Sequence, residues 1–205
     1  MASGFSTYFR DTFQATRQRF YERFLKEFRD QEPAVLEIGV LRAQSLCMWA
    51  EYFTRGRIVG IDIDPEAKAY ERERVSIEII DQSDAPALID VALKYGPFTL
   101  VLDDGSHIWD HQINALRALL PFVKPGGYYI LEDMDTSYGT YIPSYSGTGG
   151  ISAAKYVQKV ADYMIADEAL DISVEDDEFI RRFARRLEFI AFSRRTCVIR
   201  MREFA

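Results

Sequence analysis

Between residues 34 and 131, short hydrophobic runs alternate with segments whose apolar residues recur at helical spacing. The runs predict strands at residues 35–38, 58–61, 75–80, 98–102 and 128–131. The segments between them predict helices at residues 43–53, 65–71, 85–95 and 108–123, the last ending at a K-P-G-G run. This order predicts an α/β fold of the Rossmann-like, doubly wound kind, with a mainly parallel sheet.

The two ends of the chain depart from this alternation. Residues 187–192 and 196–201 predict strands of a C-terminal antiparallel hairpin at the sheet edge. Residues 1–33 predict an N-terminal amphipathic helix with an aromatic face. We expect this face to pack on the sheet or on a second subunit of a homo-oligomer, and a lid over a substrate is the alternative. The face carries Phe5, Phe9, Phe13, Phe20, Phe24 and Phe28.

Composition limits the partners that such a chain can have. Its 205 residues suit one decorated domain, residues 34–205, beside the N-terminal helix. A net charge of −7 argues against nucleic-acid binding. Because we find no apolar run of membrane-spanning length and no signal peptide, we expect a cytoplasmic protein without membrane contact. The two cysteines, Cys47 and Cys197, are expected to be reduced.

Acidic residues follow the fourth and fifth predicted strands. Asp104 lies in L-V-L-D-D-G-S-H, and Glu132 and Asp133 close Y-Y-I-L-E-D. The carboxyl ends of parallel strands line one crevice, so these carboxylates should converge and need a hard cation such as Mg²⁺. An isolated acid of this kind is usually a strand-end cap, but the two groups together favour a metal site. Asp103 should face the other way, toward a helix start or a nucleoside.

The two histidines follow Asp104 on the next predicted helix. His107 is suited to remove a proton at neutral pH, because an imidazole titrates near pH ~6.5. We expect His111 to have a packing or hydrogen-bonding role. A bystander role stays open for either residue.

The first strand and turn, V-L-E-I-G-V, suit a nucleoside-like ligand. Gly39 permits close approach of a ligand to the backbone, with Glu37 beside it. Asp62 ends the second strand, where a carboxylate can accept hydrogen bonds from ribose hydroxyls. Asp81 follows the third strand and either lies near an adenine edge or caps a helix. The G-x-G-x-x-G fingerprint is absent, which argues against an NAD oxidoreductase.

Residues 135–150 are rich in Gly, Ser, Thr and Tyr, and we expect an irregular loop that contacts the substrate. Tyr138, Tyr141 and Tyr145 could stack on a sugar or an aromatic acceptor. The alternative is that they anchor the loop to the core.

The motifs E-I-G, I-V-G-I-D, D-Q-S-D, D-D-G-S-H and K-P-G-G-Y-Y-I-L-E-D occur in this order. Together they resemble the class I S-adenosylmethionine-dependent methyltransferases over residues 35–145. More narrowly, they are similar to the metal-dependent O-methyltransferases of antibiotic biosynthesis that act on macrolide sugars, and to the related cephalosporin-modifying proteins. D-D-G-S-H followed by G-G-x-x-x-x-E-D is the most specific part of this resemblance.

The resemblance implies a role for each motif. Asp104, Glu132 and Asp133 would bind Mg²⁺, and His107 would act as the base. The cofactor S-adenosylmethionine would be bound by a further set that consists of Glu37, Gly39, Asp62, Asp81 and Gln82. We also expect Asp103 to be a cofactor-binding residue. The first turn departs from the family pattern, because residues 41–44 (L-R-A-Q) stand where further glycines are common.

The expected function is therefore transfer of a methyl group from S-adenosylmethionine to a hydroxyl of a specialised metabolite, with Mg²⁺. A small hydroxylated molecule would be the acceptor. The alternative is a non-catalytic accessory protein that binds the same cofactor and metal and supports a partner enzyme.

Overall fold

The sheet has seven strands and follows the predicted topology. A computed structural model describes residues 20–166 and 177–203. The strand order is β3-β2-β1-β4-β5-β7-β6, in which β1 to β5 are parallel and β7 and β6 form an antiparallel pair at one edge. The strands are β1 (Ala34–Ile38), β2 (Arg57–Asp62), β3 (Val75–Ile79), β4 (Phe98–Asp103), β5 (Val123–Leu131), β6 (Leu187–Ser193) and β7 (Thr196–Met201). The Rossmann-like, doubly wound prediction is confirmed.

Helices cover both faces of the sheet, so successive strand residues are buried in opposite directions. Val35 packs on the face covered by α1 and the N-terminal helix, whereas Leu36 packs on the face covered by α2 to α5. Both side chains are fully buried, which contributes about 2 kcal/mol each. The helices are α1 (Gln44–Tyr52), α2 (Ala85–Tyr95), α3 (Trp109–Leu119), α4 (Ala153–Ala166) and α5 (Glu178–Ala184). Residues 65–71, predicted to be helical, form a 3₁₀ helix over Pro65–Tyr70.

The K-P-G-G run at 124–127 does not separate a helix from a strand, as the sequence led us to expect. Helix α3 ends at Leu119, a 3₁₀ turn spans Leu120–Phe122, and β5 already begins at Val123. The register between β4 and β5 shifts where this run lies, so the run is taken up as an irregularity inside the strand. Gly126 takes a positive φ of 73° there, and such a backbone favours glycine.

The segment after β5 is more ordered than the irregular loop that we expected. It forms 3₁₀ turns over Met134–Ser137 and Gly139–Tyr141 and a helical turn over Ile142–Tyr145. Two hydroxyl side chains hold this segment against its neighbours. The Thr136 hydroxyl donates to the Asp133 carbonyl at 2.8 Å, and the Ser137 hydroxyl accepts from the Ala154 N–H at 3.1 Å.

The described part of the N-terminal segment packs on the sheet. Residues 20–25 are helical and a 3₁₀ turn spans Lys26–Phe28. The Phe24 ring lies 5.8 Å from the rings of both Tyr128 and Phe189. This contact agrees with packing on the sheet as the role of this end of the aromatic face. Phe5, Phe9 and Phe13 lie outside the described residues, and no helix among the described residues has the length and apolarity to cross a bilayer.

Candidate active site

A cavity of about 1020 Å³ opens at the carboxyl ends of the parallel strands. It lies where the strand order changes direction between β1 and β4, the usual ligand position in such sheets. Its volume suits a ligand of nucleoside size or larger. Both groups of candidate residues contribute to its lining, which includes Gly39, Asp62, Asp81, Gln82, Asp104, His107 and Glu132.

The turn after β1 and the loop after β4 touch at Gly39. Gly39 has a φ of 94°, and a Cβ atom there would overlap the backbone carbonyl oxygen of Asp104. The Asp104 N–H in turn donates to the Ile38 carbonyl at 3.0 Å. The two halves of the site therefore share a backbone contact that only glycine leaves room for.

Asp62 explains how the first turn adopts its shape without the further glycines. One oxygen of its carboxylate accepts from the N–H groups of Val40 at 2.8 Å and Leu41 at 2.9 Å. The other oxygen accepts from the Asp64 N–H at 2.9 Å. These bonds support a turn in which Leu41 and Ala43 have positive φ angles of 48° and 54°. Partial burial opposes ionisation of Asp62, but the N–H donors outweigh it and hold its pKa below the usual range.

Glu37 lies behind the turn and is fully buried. Its carboxylate accepts hydrogen bonds from the Trp49 indole N–H at 2.7 Å and from the Ser45 hydroxyl. Glu37 therefore ties α1 to β1 and is not among the residues that line the cavity. The structure places it beside the predicted cofactor pocket, at the level of the turn that forms the pocket wall.

Gln82, which follows β3, and Asp103, at the end of β4, form a buried hydrogen-bonded pair. The Gln82 amide donates to the Asp103 carboxylate at 2.7 Å and accepts from the Ser106 N–H at 2.9 Å. Burial raises the pKa of Asp103 to about 7; the Gln82 bond opposes this shift and the nearby charge of Asp104 adds to it. Asp103 faces away from the cavity, as expected from its neighbour Asp104, whereas Gln82 lines it.

Asp81 also lines the cavity, and its side chain accepts from the Ser83 N–H at 2.8 Å. The helix cap that was its alternative role belongs to Asp84, which accepts from the Ala87 N–H at 3.0 Å.

On the other side of the cavity, Asp104, His107 and Asp133 form one cluster. Each offers a ligand atom, and these atoms lie within 4.8 Å of one another. His107 Nε2 is 3.6 Å from Asp133 Oδ2. Both of these residues have left-handed backbones, with φ angles of 57° and 53°, and such strain is typical of functional sites. Two carboxylates and an imidazole at this spacing fit a divalent cation that keeps further positions for water or substrate oxygens.

Glu132 lines the same cavity but is not in the group of atoms within 4.8 Å. Its carboxylate is fully buried and accepts from the Thr196 hydroxyl at 3.0 Å. Successive residues at the end of a strand project in different directions, which separates Glu132 from Asp133.

Three contacts to the acids after β5 come from the hairpin between β6 and β7, and we did not expect them from the sequence. Besides the Thr196 bond, Arg195 Nη2 lies 2.9 Å from Asp133 Oδ1, and Arg195 Nε lies 3.0 Å from Asp135 Oδ1.

The remaining predicted residues surround the cluster. His111 Nδ1 lies 3.0 Å from the Ser106 hydroxyl, in agreement with the hydrogen-bonding role expected for it. The Tyr145 ring is 6.4 Å from the His107 ring, and the Tyr141 ring is 6.1 Å from that of Tyr145. Tyr138 and Tyr141 are about half exposed, at 52% and 47%. The Tyr138 hydroxyl accepts from the Gln158 amide of α4 at 3.5 Å, and none of the three tyrosines is among the residues that line the cavity.

The chain is similar to solved structures of a methyltransferase. The chain superposes with a TM-score of 0.78 and 30% identity on the MycE methyltransferase from the mycinamycin biosynthetic pathway in complex with Mg and SAH. This match covers 90% of the chain and 48% of MycE. A MycE complex that also contains mycinamycin VI gives a TM-score of 0.76 at 29% identity. The sequence resemblance is confirmed.

The curated relatives that the chain matches are named as O-methyltransferases. The chain is 43% identical over 125 residues to demethylmacrocin O-methyltransferase of Streptomyces fradiae, and equally to mycinamicin VI 2''-O-methyltransferase of Micromonospora griseorubida. Each match covers 58% of this chain but 31% of the relative, so the chain spans about a third of the length of these relatives. No family model matches the chain.

Proposed function

We propose that this chain transfers a methyl group from S-adenosylmethionine to a hydroxyl of a small specialised metabolite, with the help of Mg²⁺. The observation that carries this proposal is that one cavity is lined by the Gly39 turn and Asp62 on one side and by Asp104 and His107 on the other. A nucleoside subsite and a hard-cation site thus open on the same space. The name of a further relative, 8-demethyl-8-alpha-L-rhamnosyl tetracenomycin-C 2'-O-methyltransferase of Streptomyces olivaceus, supports a sugar hydroxyl as the acceptor.

The residues of the first side would bind the methyl donor. The backbone of the Gly39 turn admits a ligand at close range, and Asp62 lies where it can accept from ribose hydroxyls. Asp81 and Gln82 line the part of the cavity next to β3 and would contact the adenine. Glu37 and Asp103 would act indirectly, by fixing α1 and Gln82.

The residues of the second side would hold the metal ion and the acceptor. Asp104 and Asp133 would bind Mg²⁺, with Glu132 as a third carboxylate at the cavity wall. A bound Mg²⁺ supplies positive charge that lowers the pKa of an acceptor hydroxyl. His107 would accept the hydroxyl proton while the acceptor oxygen forms its bond to the methyl carbon and the carbon–sulfur bond of the donor breaks. Tyr138, Tyr141 and Tyr145 would contact the acceptor beside the cluster.

The test is methyl incorporation from labelled S-adenosylmethionine into a panel of hydroxylated acceptors, with and without EDTA. We expect transfer that EDTA abolishes and added Mg²⁺ restores, while binding of S-adenosylhomocysteine persists in EDTA. Transfer at full rate in metal-free buffer would refute the role of the metal ion. Binding of S-adenosylhomocysteine and of Mg²⁺ without methyl transfer to any acceptor would favour the alternative of a non-catalytic accessory protein.

His107→Gln separates the two roles that its position allows. A base contributes about 10²- to 10⁴-fold to turnover. We therefore expect a loss of this size with little change in Mn²⁺ affinity. A large loss of Mn²⁺ affinity would instead make His107 a metal ligand.

The N-terminal segment gives a further proposal on assembly. Phe24 and Phe28 are occupied by the sheet, so a homo-oligomer would use the residues that precede them. Light scattering of the full chain and of a chain without residues 1–19 tests this, and an equal number of subunits in both would refute it.

A further inference from the structure

The two-residue turn of the C-terminal hairpin lies against the segment that follows β5. Strand β7 pairs with β5 in antiparallel register, with Leu131 opposite Cys197. The chain that leaves β5 therefore meets the chain that enters β7. The Met134 N–H donates to the Arg195 carbonyl at 2.8 Å, which extends this contact beyond the two strands.

Arg195 of the turn and Thr196, the first residue of β7, contact the acids of the segment after β5. We call Arg195 and Thr196 the hairpin pair. The Thr196 hydroxyl donates to Glu132 at 3.0 Å. The Arg195 guanidinium lies 2.9 Å from Asp133 and 3.0 Å from Asp135, so one planar group contacts two carboxylates at once. A lysine could not reproduce this geometry, because its ammonium is a single point of charge.

The two carboxylate oxygens of Asp133 contact different groups. Oδ1 faces the guanidinium, whereas Oδ2 lies 3.6 Å from His107 Nε2, on the side of the cluster. The Asp133 backbone has a φ of 53°, a conformation that a residue other than glycine keeps only when its surroundings hold it. The ion pair with Arg195 and the Met134 backbone bond supply that support from both sides of the residue.

Resting on the proposed function, we propose that the hairpin pair consists of positioning residues for the metal site. Arg195 keeps Oδ1 of Asp133 occupied and so presents Oδ2 to the cation, as a single ligand atom. Thr196 fixes the carboxylate of Glu132 at the cavity wall. Such outer partners typically change metal affinity by ~10- to 100-fold when they are replaced. Arg195 also places a positive charge near the cation, so removal of charge alone would strengthen metal binding.

The decisive variant is Arg195→Lys, because it keeps the charge and loses the planar contact. We expect its Mn²⁺ dissociation constant to rise about 10-fold by titration calorimetry or electron paramagnetic resonance. The dissociation constant of S-adenosylhomocysteine should stay within about 2-fold of the original. Arg194→Lys is the matched control, since Arg194 is the other residue of the turn and makes none of the carboxylate contacts described above. Its Mn²⁺ affinity should be unchanged.

Thr196→Val gives an independent test should Arg195→Lys fold poorly. It should also weaken Mn²⁺ binding, and Thr196→Ser should restore it, because serine keeps the hydroxyl that reaches Glu132. Mn²⁺ affinity within 2-fold of the original in both Arg195→Lys and Thr196→Val would overturn the proposal. So would a parallel loss of S-adenosylhomocysteine affinity in both, because that outcome indicates general damage to the fold. If the unaltered chain bound no Mn²⁺, the proposed metal site itself would fail.

Discussion

The carboxylates at the ends of β1 and β2 differ from those at the ends of β4 and β5 in what surrounds them. Glu37 and Asp62 accept hydrogen bonds from indole, hydroxyl and backbone N–H donors of the chain itself. Asp104 and Asp133 instead converge on an imidazole and on each other. Acids of the first kind shape a pocket, whereas acids of the second kind lie at a spacing at which the proposed cation would offset their repulsion. Whether a carboxylate at a strand end shapes a pocket or joins a cluster of acids therefore depends on the hydrogen-bond donors near it.

Asp104→Asn tests the second region and should have the largest effect. The amide loses the negative charge that a hard cation requires, so methyl transfer should fall on the order of 10³-fold, or about 4 kcal/mol in the activation barrier. Affinity for S-adenosylhomocysteine should change less than about 2-fold. Asp90→Asn, an exposed substitution on α2, is the control and should leave both measurements unchanged. Equal losses of transfer and nucleoside affinity would show that the two regions are not separable.

Gly39→Ala should impair the nucleoside region and the metal region together. The added Cβ would meet the Asp104 backbone, and the φ of 94° is unfavourable for alanine. We expect a loss of about 2 kcal/mol in the free energy of unfolding, with weaker binding of both S-adenosylhomocysteine and Mn²⁺. Gly150→Ala is the control, because nothing lies within 4 Å of its added Cβ. If Gly39→Ala weakened only one ligand, the shared backbone contact would not couple the two regions.

Asp62→Asn tests the first region through the pH dependence of stability. Because the pKa of Asp62 is lower in the folded state, its ionised form stabilises the fold above the unfolded pKa of about 4. That contribution is lost as the pH falls through the lower, folded-state pKa. We expect the variant to be about 1 kcal/mol less stable at neutral pH. The difference is small because the carboxylate is partly exposed to solvent.

Urea unfolding at a series of pH values measures this difference. The gap between the original chain and Asp62→Asn should be constant near neutrality and should narrow below about pH 4. A gap that widened in acid would contradict the account of Asp62 as a carboxylate stabilised by backbone donors.

Tyr141→Ala should have the smallest effect and should touch only the acceptor. Its ring is half exposed beside Tyr145, so its loss should raise the acceptor KM roughly 3- to 10-fold, or about 1 kcal/mol. Affinities for S-adenosylhomocysteine and Mn²⁺ should not change. Tyr70→Ala, at a similarly exposed tyrosine on the 3₁₀ helix after β2, is the control. An unchanged KM would favour the alternative that Tyr141 supports the segment after β5.

The sequence predicted the parts of the site that follow from parallel strands. Asp104 and Asp133 come shortly after the ends of neighbouring strands, so their convergence follows from the strand order. We expected Glu132 to converge with them, but its carboxylate turns toward Thr196 on the neighbouring strand β7, a contact that the sequence does not reveal. Arg195 was not foreseen, since its contact requires the antiparallel register of β7 beside β5. Leu41 and Ala43 can likewise take the place of glycines in the first turn because Asp62, from another strand, accepts hydrogen bonds from the backbone of that turn.

The place of the hairpin in the chain has a consequence for how the protein matures during translation. A ribosome releases β1 to β5, with both halves of the cavity, before it releases Arg195 and Thr196. A nascent chain could therefore enclose a nucleoside before it could hold Asp133 in its final orientation. On the proposed role of the hairpin pair, competence to retain a divalent ion would arise last, when the hairpin closes the edge of the sheet.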